Sequence, residues 1–270
     1  MKVEKVDFDS NNVRIQGELY ISDIKPAPAL VICHGFDGRG FRGHEIFRWL
    51  ATRACDNGFV SLVFDFRGCG ESGGQFDYGW DEQKDLKTAI DYLASRPEVI
   101  ADSIFVLGHS FGGTIVLYAC QGDKRVKGIV LWATARSQAY NVKKFSSMER
   151  GRAGYYSFII LSHIDTVVNI SRLLRFQAFG ISLRLRDVRR KLMKLNESEA
   201  VTKFDNTPKL MLVGSRDRAV TVEETKIIYS AAKEPKELVI IDSANHVFQG
   251  KEDETIDKTI AWLKQQINPK

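Results

Sequence analysis

The 270-residue chain has 44% hydrophobic and 27% charged side chains, a composition that excludes a disordered or fibrous protein. No apolar stretch approaches the ~20 residues of a membrane-spanning helix, and residues 1–7 alternate apolar and charged positions without a signal-peptide core. These features predict a cytoplasmic protein without stable membrane insertion. The formal net charge is +5, but no groove-entering or base-stacking element accompanies it, so no nucleic-acid partner is expected.

Apolar runs alternate with helical patterns along most of the chain. This alternation is typical of a mostly parallel sheet with helices on both faces. Eight runs predict strands at residues 3–8, 13–21, 29–33, 60–64, 103–107, 126–132, 209–213 and 237–241. Five segments with an apolar stripe predict helices near residues 44–57, 80–95, 110–120, 222–232 and 252–267. The first two strands flank Ser10, Asn11 and Asn12, which predicts an antiparallel hairpin.

The alternation fails between residues 134 and 206. This segment shows no clean strand pattern, and basic residues are interleaved with Leu, Ile and Phe. Between Arg136 and Asp205 there are 14 Lys and Arg against 6 Asp and Glu, so the basic charge of the chain is concentrated here. We predict a largely helical cap inserted into a core formed by residues 1–133 and 207–270. A packed helical layer with solvated arginines and a membrane-surface helix are the alternatives.

Four cysteines, Cys33, Cys55, Cys69 and Cys120, are scattered without C-x-x-C spacing. Cys33 and Cys120 fall within apolar segments. The pattern predicts buried free thiols rather than disulfides or zinc ligands.

A glycine-rich turn follows the strand at residues 103–107. Such a turn can bind a phosphate at a helix N-terminus, but Gly108, Gly112 and Gly113 fit neither the dinucleotide fingerprint nor the phosphate loop. The residues do fit G-x-S-x-G, with Ser110 at its centre. Small residues on both sides of the serine permit a sharp, strained turn that lifts the hydroxyl above the sheet.

Three chemically matched residues follow three of the predicted strands. Sites in open α/β sheets lie beyond the carboxyl ends of the strands, where Ser110, Asp217 and His246 occur in that order. A serine hydroxyl needs a base to remove its proton, and the imidazole needs a carboxylate to orient it. Separately, His246 fits a loop histidine and Asp217 fits a helix N-terminus. Together the three predict a catalytic triad.

The remaining polar motifs favour structural roles. His34 is predicted to order its loop through backbone hydrogen bonds, and His109 is predicted to point away from the reaction. His44 and His163 have no carboxylate or cysteine at ligand spacing, so no metal site is expected. Residues 65–69, Asp-Phe-Arg-Gly-Cys, predict a turn held by a short-range Asp and Arg network.

The chain resembles members of the α/β-hydrolase fold superfamily. The matching motifs are His34-Gly-Phe36, Asp65-Phe-Arg-Gly68, Gly108-His-Ser-Phe-Gly112, Gly214-Ser-Arg-Asp217 and Asn245-His246. Within the superfamily, the chain is similar to capped carboxylesterases of the feruloyl and cinnamoyl esterase type and to the lysophospholipase and serine aminopeptidase-like group. The resemblance implies a mostly parallel eight-stranded sheet with a helical cap. It also implies an oxyanion hole formed by the backbone N–H groups of Phe36 and Phe111.

These observations predict a serine hydrolase that cleaves small-molecule carboxylic esters through an acyl-enzyme, without a cofactor or metal. Apolar residues of the cap, Tyr155, Phe176, Phe179 and Leu183, are predicted to line the substrate site. Amide hydrolysis on the same triad, as in a serine aminopeptidase, is the nearest alternative, although the arginine-rich cap disfavours a cationic substrate terminus. A non-catalytic binding module is the more distant alternative, because a fold does not fix a function.

Overall fold

The computed structural model describes residues 1–138 and 191–267, and the backbone alone of residues 175–178 and 181–184. Its strands are β1 (Lys2–Asp9), β2 (Arg14–Ile21), β3 (Ala27–Cys33), β4 (Val60–Phe64), β5 (Val99–His109), β6 (Val126–Trp132), β7 (Arg175–Ala178), β8 (Ile181–Arg184), β9 (Lys209–Gly214) and β10 (Lys236–Ile241). Its α-helices are α1 (Ile46–Asp56), α2 (Glu82–Ala94), α3 (Phe111–Ala119), α4 (Glu197–Ala200), α5 (Val222–Ala231) and α6 (Glu252–Ile267). Short 3-10 turns occupy Gly40–Gly43 and Val201–Lys203.

Eight strands form one twisted sheet in the order β1-β2-β4-β3-β5-β6-β9-β10. Strand β2 is antiparallel to both β1 and β4, and the other neighbours are parallel. The prediction of a mostly parallel eight-stranded sheet is confirmed. Strand β5 lies at the centre, and its parallel neighbours end at the same edge, so the residues after these strands meet there.

The two faces of the sheet are covered by different helices. One core cluster joins the sheet to α2 and α3, and the other joins it to α1 and α6. Within β3, Val31 belongs to the first cluster and Leu30 to the second, as the two-residue period of a strand requires. Strands buried on both faces explain the nearly continuous apolar runs in the sequence. Among the described residues, no helix is long and apolar enough to cross a membrane.

The predicted hairpin between the first two strands is confirmed. Asn11 and Asn12 both have positive φ, at 53° and 62°. Ser10 and Val13 exchange two backbone hydrogen bonds across the turn, at 2.8 and 3.2 Å. Two central residues with positive φ give the turn type whose twist matches that of the flanking strands.

Strand β5 begins at Val99, four residues before its predicted start. Ala27 at the beginning of β3 pairs with Val99, and the register shifts before Ala29 pairs with Ile104. The intervening residues 100–102 are exposed. Asp102 and Ser103 separate this exposed, irregularly paired stretch from the apolar run at residues 104–107, which is why the sequence pattern places the start too late.

The expectation that the segment 134–206 contains no strand is wrong. Strands β7 and β8 pair antiparallel, with Phe176 opposite Leu183 and Ala178 opposite Ile181. Polar and apolar residues alternate along both strands, and Gly180 lies between them in the sequence. Alternation with a glycine at the turn is a hairpin pattern, which the high density of arginine obscured. The extent of the cap stays a prediction.

The last part of this segment packs against the sheet domain. Leu195, Val201 and Phe204 are buried in the same core cluster as α2 and α3. The four cysteines are all free and buried, so the prediction of buried thiols is confirmed. Burial raises the pKa of the Cys33 thiol well above its usual range, which disfavours the reactive thiolate.

Candidate active site

Ser110 occupies a strained turn between β5 and α3. Its φ of 53° and ψ of −115° are unusual for a residue with a side chain. The turn is fixed by backbone hydrogen bonds from Ser110 N to Trp132 O at 2.7 Å and from Gly113 N to Ser110 O at 3.1 Å. A conformation of this kind presents the serine side chain at the carboxyl end of the sheet.

The neighbouring glycines are required by close contacts between backbone segments. A Cβ on Gly108 would lie 2.5 Å from the carbonyl of Gly112. A Cβ on Gly112 would lie 2.4 Å from the carbonyl oxygen of His34. Neither contact can be relieved by a rotating side chain, so only glycine fits these two positions.

His246 lies between Ser110 and Asp217. The His246 Nε2 atom is 3.0 Å from Ser110 Oγ, and its Nδ1 atom is 2.8 Å from Asp217 Oδ2. A carboxylate only accepts hydrogen bonds, so Nδ1 carries the proton and Nε2 is left to accept from the serine hydroxyl. The structure therefore brings together the three side chains that follow β5, β9 and β10, as their positions in the sequence predict.

Asp217 uses both of its carboxylate oxygens. Its Oδ1 atom accepts hydrogen bonds from Ala219 N at 2.8 Å and Val220 N at 2.9 Å, while Oδ2 faces His246. Asp217 thus orders the loop before α5 and contacts the imidazole, but it does not occupy the helix N-terminus that the sequence also allowed. The helix itself is capped by Thr221.

Asp242, another carboxylate at this sheet edge, has different partners. Its side chain accepts from Ser215 Oγ at 3.2 Å and Ser243 Oγ at 3.1 Å and is exposed. Asp217 is thus the carboxylate that orients His246.

Two buried histidines next to the site have backbone partners. The His34 Nδ1–H donates to Gly35 O at 2.7 Å, and its Nε2 accepts from Phe66 N at 3.1 Å, so its predicted role in ordering the loop is confirmed. Burial lowers the pKa of His34 to about 4 and that of His109 to about 3. Both rings are therefore neutral near pH 7.

His44 is nearer to a carboxylate than the sequence indicates. Its Nε2 atom is 3.7 Å from Asp37 Oδ2, across a turn that the linear spacing does not reveal. Burial lowers the pKa of His44. Within the described residues, no group of three His, Cys, Asp or Glu side chains could hold a metal ion. His163 lies outside the described residues.

The prediction of a turn held by a short-range Asp and Arg network is confirmed for Asp65 and wrong for Arg67. Asp65 accepts from the backbone N–H of Phe41 at 3.0 Å and pairs with Arg42. Arg67 instead binds Asp85 of α2, with contacts of 2.6 and 3.0 Å. Each of the two charges joins the loop to a distant element, and Asp65 also holds the turn itself by accepting from Glu71 N at 3.0 Å.

The two residues that the resemblance implies for an oxyanion hole, Phe36 and Phe111, lie close to Ser110. Phe111 is the first residue of α3, so its N–H has no acceptor within the helix. The loop that carries Phe36 packs directly against the serine, because a Cβ on Gly35 would lie 3.2 Å from Ser110 Cβ. The rings of Phe36 and Phe111 are 5.9 Å apart.

An aromatic cluster supports this loop. Phe76 contacts Phe36 and Phe111, with ring centroids 5.2 and 5.6 Å apart. The segment after Phe76 is held by the buried carboxylate of Glu82, which accepts from the backbone N–H groups of Asp77 at 2.5 Å and Gly79 at 2.7 Å. Burial raises the pKa of Glu82 to about 8. Sequence reasoning missed this residue, since a single glutamate at a helix start resembles an ordinary solvated one.

A second buried carboxylate joins both ends of the segment 134–206 to α3. Glu197 Oε1 accepts from Thr114 Oγ1 at 2.5 Å and from Gln138 Nε2 at 2.9 Å. Thr114 lies one helical turn after Ser110. Burial raises the pKa of Glu197 to about 7.

The predicted substrate-contacting residues lie in the segment that includes β7 and β8. The backbones of Phe176 and Leu183 pair across the β7–β8 hairpin. Tyr155 and Phe179 lie outside the described residues. Their contact with substrate stays a prediction.

The mostly parallel sheet, the strained serine turn and the adjacent His–Asp pair define an α/β hydrolase. Residues 30–258 match the model of the alpha/beta hydrolase family, and the chain belongs to this family.

Two curated proteins illustrate the range of its relatives. An alignment of 317 positions with polyketide transferase ATR5 of Stachybotrys chlorohalonatus shows 24% identity. It covers 99% of this chain and 98% of that protein. The chain is 33% identical to the quorum-quenching protein AidA of Acinetobacter baumannii over 129 residues, 46% of this chain and 41% of the relative. The latter match thus spans less than half of either protein.

Solved structures share the fold over nearly the whole chain. The alpha/beta hydrolase GrgF from Penicillium sp. sh18 superposes with a TM-score of 0.79 at 20% identity, covering 98% of this chain and 99% of that one. Est1E from Butyrivibrio proteoclasticus, solved with bound ferulic acid, superposes with a TM-score of 0.76 at 19% identity, covering 97% and 99%. At these identities the likeness is one of fold.

Proposed function

We propose that the protein is a serine hydrolase that cleaves carboxylic esters through an acyl-enzyme intermediate. The observation that supports this proposal most strongly is the position of the His246 imidazole, 3.0 Å from Ser110 Oγ and 2.8 Å from Asp217 Oδ2. These distances suit proton transfer from an alcohol to a base that a carboxylate orients.

The reaction proceeds in two steps. Ser110 Oγ attacks the ester carbonyl while His246 Nε2 takes its proton, and His246 then returns that proton to the departing alcohol. Water next attacks the acyl-enzyme and gives a proton to His246, which returns it to Ser110 Oγ as the carboxylic acid leaves. Asp217 stabilises the imidazolium in both steps.

The negative charge of each tetrahedral intermediate needs hydrogen-bond donors. We assign this role to the N–H groups of Phe36, in the loop after β3, and of Phe111, at the start of α3. Donors of this kind contribute about 3–4 kcal/mol each to transition-state stabilisation in other acyl-transfer enzymes. The aromatic side chains of Phe36 and Phe111 make one side of the site apolar, which suits an aryl or alkyl acyl group.

Hydroxycinnamate esters are the first substrate class to test. The resemblance to feruloyl and cinnamoyl esterases favours them, and Est1E is a structural neighbour solved with ferulic acid. The predicted wall of Tyr155, Phe176, Phe179 and Leu183 would complete an apolar pocket. A panel of esters with acetyl, octanoyl, cinnamoyl and feruloyl groups measures this preference through kcat/KM.

Replacement of the nucleophile tests the proposed reaction. We expect Ser110→Ala to abolish p-nitrophenyl ester turnover and labelling by a fluorophosphonate probe, with the melting temperature retained. Ser215→Ala is the matched control, because Ser215 lies at the same sheet edge but binds Asp242. Activity retained by purified Ser110→Ala protein contradicts the mechanism. A wild-type serine that the probe does not label favours a non-catalytic binding module.

Acyl transfer to an alcohol is a second candidate, favoured by the similarity to polyketide transferase ATR5 over 99% of the chain. It shares the acyl-enzyme and differs in the acceptor. Adding small alcohols to the ester assay and measuring transesterification products against free acid distinguishes the two. Parallel assays with aminoacyl anilides test amide hydrolysis.

A further inference from the structure

His109 and Ser110 together contact His246 at two places. Ser110 Oγ lies 3.0 Å from the imidazole Nε2 of His246. His109 Nε2 lies 2.9 Å from the main-chain carbonyl oxygen of the same residue. The two adjacent residues at the end of β5 therefore hold His246 through both its ring and its backbone.

The hydrogen bond from His109 has a defined direction. A carbonyl oxygen only accepts, so the proton must be on His109 Nε2. Burial, together with the nearby His246, His44 and His34 rings, lowers the pKa of His109 to about 3. Two carboxylates face this group of rings: Asp37 Oδ2 lies 3.7 Å from His44 Nε2, and Asp217 Oδ2 lies 2.8 Å from His246 Nδ1. His109 is therefore an uncharged donor with one fixed tautomer at neutral pH.

The His109 ring is itself fixed by packing. It is 5% exposed and lies against the rings of Phe47 and Phe248, with centroid distances of 5.7 and 6.4 Å. Its centroid is 5.1 Å from that of His246. A buried ring with neighbours on several sides can hold the atom it binds within a narrow range of positions.

The loop that carries His246 needs such an anchor. Beyond β10 the chain is irregular, and its backbone is joined to the loop after β9 by hydrogen bonds from Ser215 N to Ile241 O and from Arg216 N to Ala244 O, both 2.9 Å. The contact from His109 adds a bond at His246 itself. A displacement of this residue changes the distances from the imidazole to Ser110 and Asp217 at the same time.

We infer that His109 is a positioning residue for the reaction, since its Nε2–H fixes the main chain of His246 and thereby the imidazole between Ser110 and Asp217. This inference rests on the proposed function. His246 transfers protons in both acylation and deacylation, so loss of the anchor slows both steps. We expect substrate binding to be spared, because the His109 ring is buried and its Nε2 faces the main chain of His246.

His109→Phe keeps a buried ring and removes the donor. We expect kcat for a p-nitrophenyl ester to fall by about 10- to 100-fold, the range seen when reacting groups are misplaced by about 1 Å. KM should change less than about threefold, and the rate of fluorophosphonate labelling should fall by a similar factor to kcat. His109→Met is the second donor-free variant, with a flexible side chain that tolerates irregular packing.

Rescue by an alternative donor separates positioning from packing. His109→Gln carries an amide N–H that can reach the same carbonyl, and we expect its kcat to recover to within about fivefold of wild type. Thr259→Val is the matched control, because it removes a buried hydrogen bond from Trp132 Nε1, 3.1 Å long, in the core cluster on the same sheet face. It should lower the melting temperature by a few degrees and leave kcat unchanged.

The inference is overturned if His109→Phe and His109→Met keep wild-type kcat, or if His109→Gln is no faster than either. An equal loss of kcat in Thr259→Val also overturns it, since the effect is then one of general stability. Failure of the proposed function is seen separately, as ester turnover that persists in Ser110→Ala.

Discussion

The loops that carry Ser110 and His246 lie at the same sheet edge but are held by different means. At the turn around Ser110, steric exclusion adds to the backbone hydrogen bonds, because no side chain fits at Gly108 or Gly112. The loop at His246 is fixed by hydrogen bonds to its carbonyl and its ring, and the side chain remains 27% exposed. Substitutions at Gly108 and Gly112 should therefore reduce stability, and loss of the hydrogen bonds to the His246 ring and carbonyl should reduce activity in a folded protein.

The largest expected effect tests the hydrogen bond from the His246 ring to Asp217. Asp217→Asn preserves one carbonyl oxygen for the N–H groups of Ala219 and Val220 but turns an amide N–H toward His246 Nδ1. The ring must then accept at Nδ1 and carry its proton on Nε2, where it cannot take a proton from Ser110. We expect kcat to fall about 10⁴-fold, equivalent to about 5.5 kcal/mol, in steady-state ester assays.

Asp242→Asn provides the control for this variant. Asp242 follows β10 at the same edge and binds Ser215 and Ser243. Its replacement should leave kcat within about twofold of wild type, as is usual for exposed substitutions. Equal losses in the two variants would show that Asp217 does not act through the imidazole.

The next largest effect tests steric exclusion. In Gly112→Ala the new methyl group would meet the carbonyl oxygens of His34 at 2.4 Å and Cys33 at 2.7 Å. Both atoms belong to the backbone at the end of β3, so relief requires movement of the sheet edge. We expect a loss of about 4 kcal/mol in the free energy of unfolding, at the upper end for an overpacked core. Urea denaturation measures it.

Gly73→Ala is the matched substitution in open space. Its added Cβ would find its nearest neighbour at 3.6 Å, an ordinary contact. The free energy of unfolding should change by less than about 0.5 kcal/mol. A Gly112→Ala protein as stable as Gly73→Ala would refute the steric explanation of the turn.

The sequence contains most of the information for the sheet and for the juxtaposition of the three site residues. Apolar runs reveal strands buried on both faces, and a parallel sheet brings its carboxyl ends to one edge, so Ser110, Asp217 and His246 can be placed without coordinates. Their catalytic roles stay predictions. The pairing of Arg67 with Asp85 could not be predicted, because it depends on how α2 packs beside the loop.

Buried acidic residues show a second limit of sequence reasoning. Glu82 and Glu197 occupy polar positions in their local patterns, where a glutamate is normally solvated. Their burial results from folding around backbone N–H groups in one case and around Thr114 and Gln138 in the other. The local spacing of apolar and polar residues along a helix does not encode such long-range contacts. His109 is similar, since its partner His246 lies 137 residues along the chain.

The titration of Glu197 tests a hydrogen-bonded part of the fold, in contrast to the sterically restricted turn at Ser110. Burial raises its pKa from 4.5 to about 7 in the folded state, so the folded protein binds more protons than the unfolded chain between these values. The contribution of protonated Glu197 to the free energy of unfolding is therefore fully present below about pH 4.5, and it is lost as the pH rises through about 7. The loss attributable to this carboxyl is up to about 3 kcal/mol.

Glu197→Gln should remove this part of the pH dependence. The amide oxygen can still accept from Thr114 and Gln138, and the side chain no longer ionises. The free energy of unfolding, measured in urea from pH 5 to pH 8, should fall less steeply than in wild type. Glu199→Gln, exposed on the same short helix, should leave the wild-type slope unchanged. Identical slopes for Glu197→Gln and wild type would contradict the prediction.

The smallest expected effect concerns the turn that supports His246. Asn245 Oδ1 accepts from Val247 N at 3.1 Å and from Gln249 N at 3.0 Å, closing the chain after the imidazole. Asn245→Ala should cost about 1 kcal/mol of stability, as for a lost capping side chain, and reduce kcat about threefold. Asn245→Asp retains the accepting oxygen and should restore both values. Because His109 also holds the carbonyl of His246, loss of the two hydrogen bonds to Asn245 should loosen the loop without displacing the ring. A combined Asn245→Ala and His109→Phe variant should therefore lose more activity than the product of the single effects, as measured by a double-mutant cycle on kcat. Strict additivity would show that the two contacts position the imidazole independently.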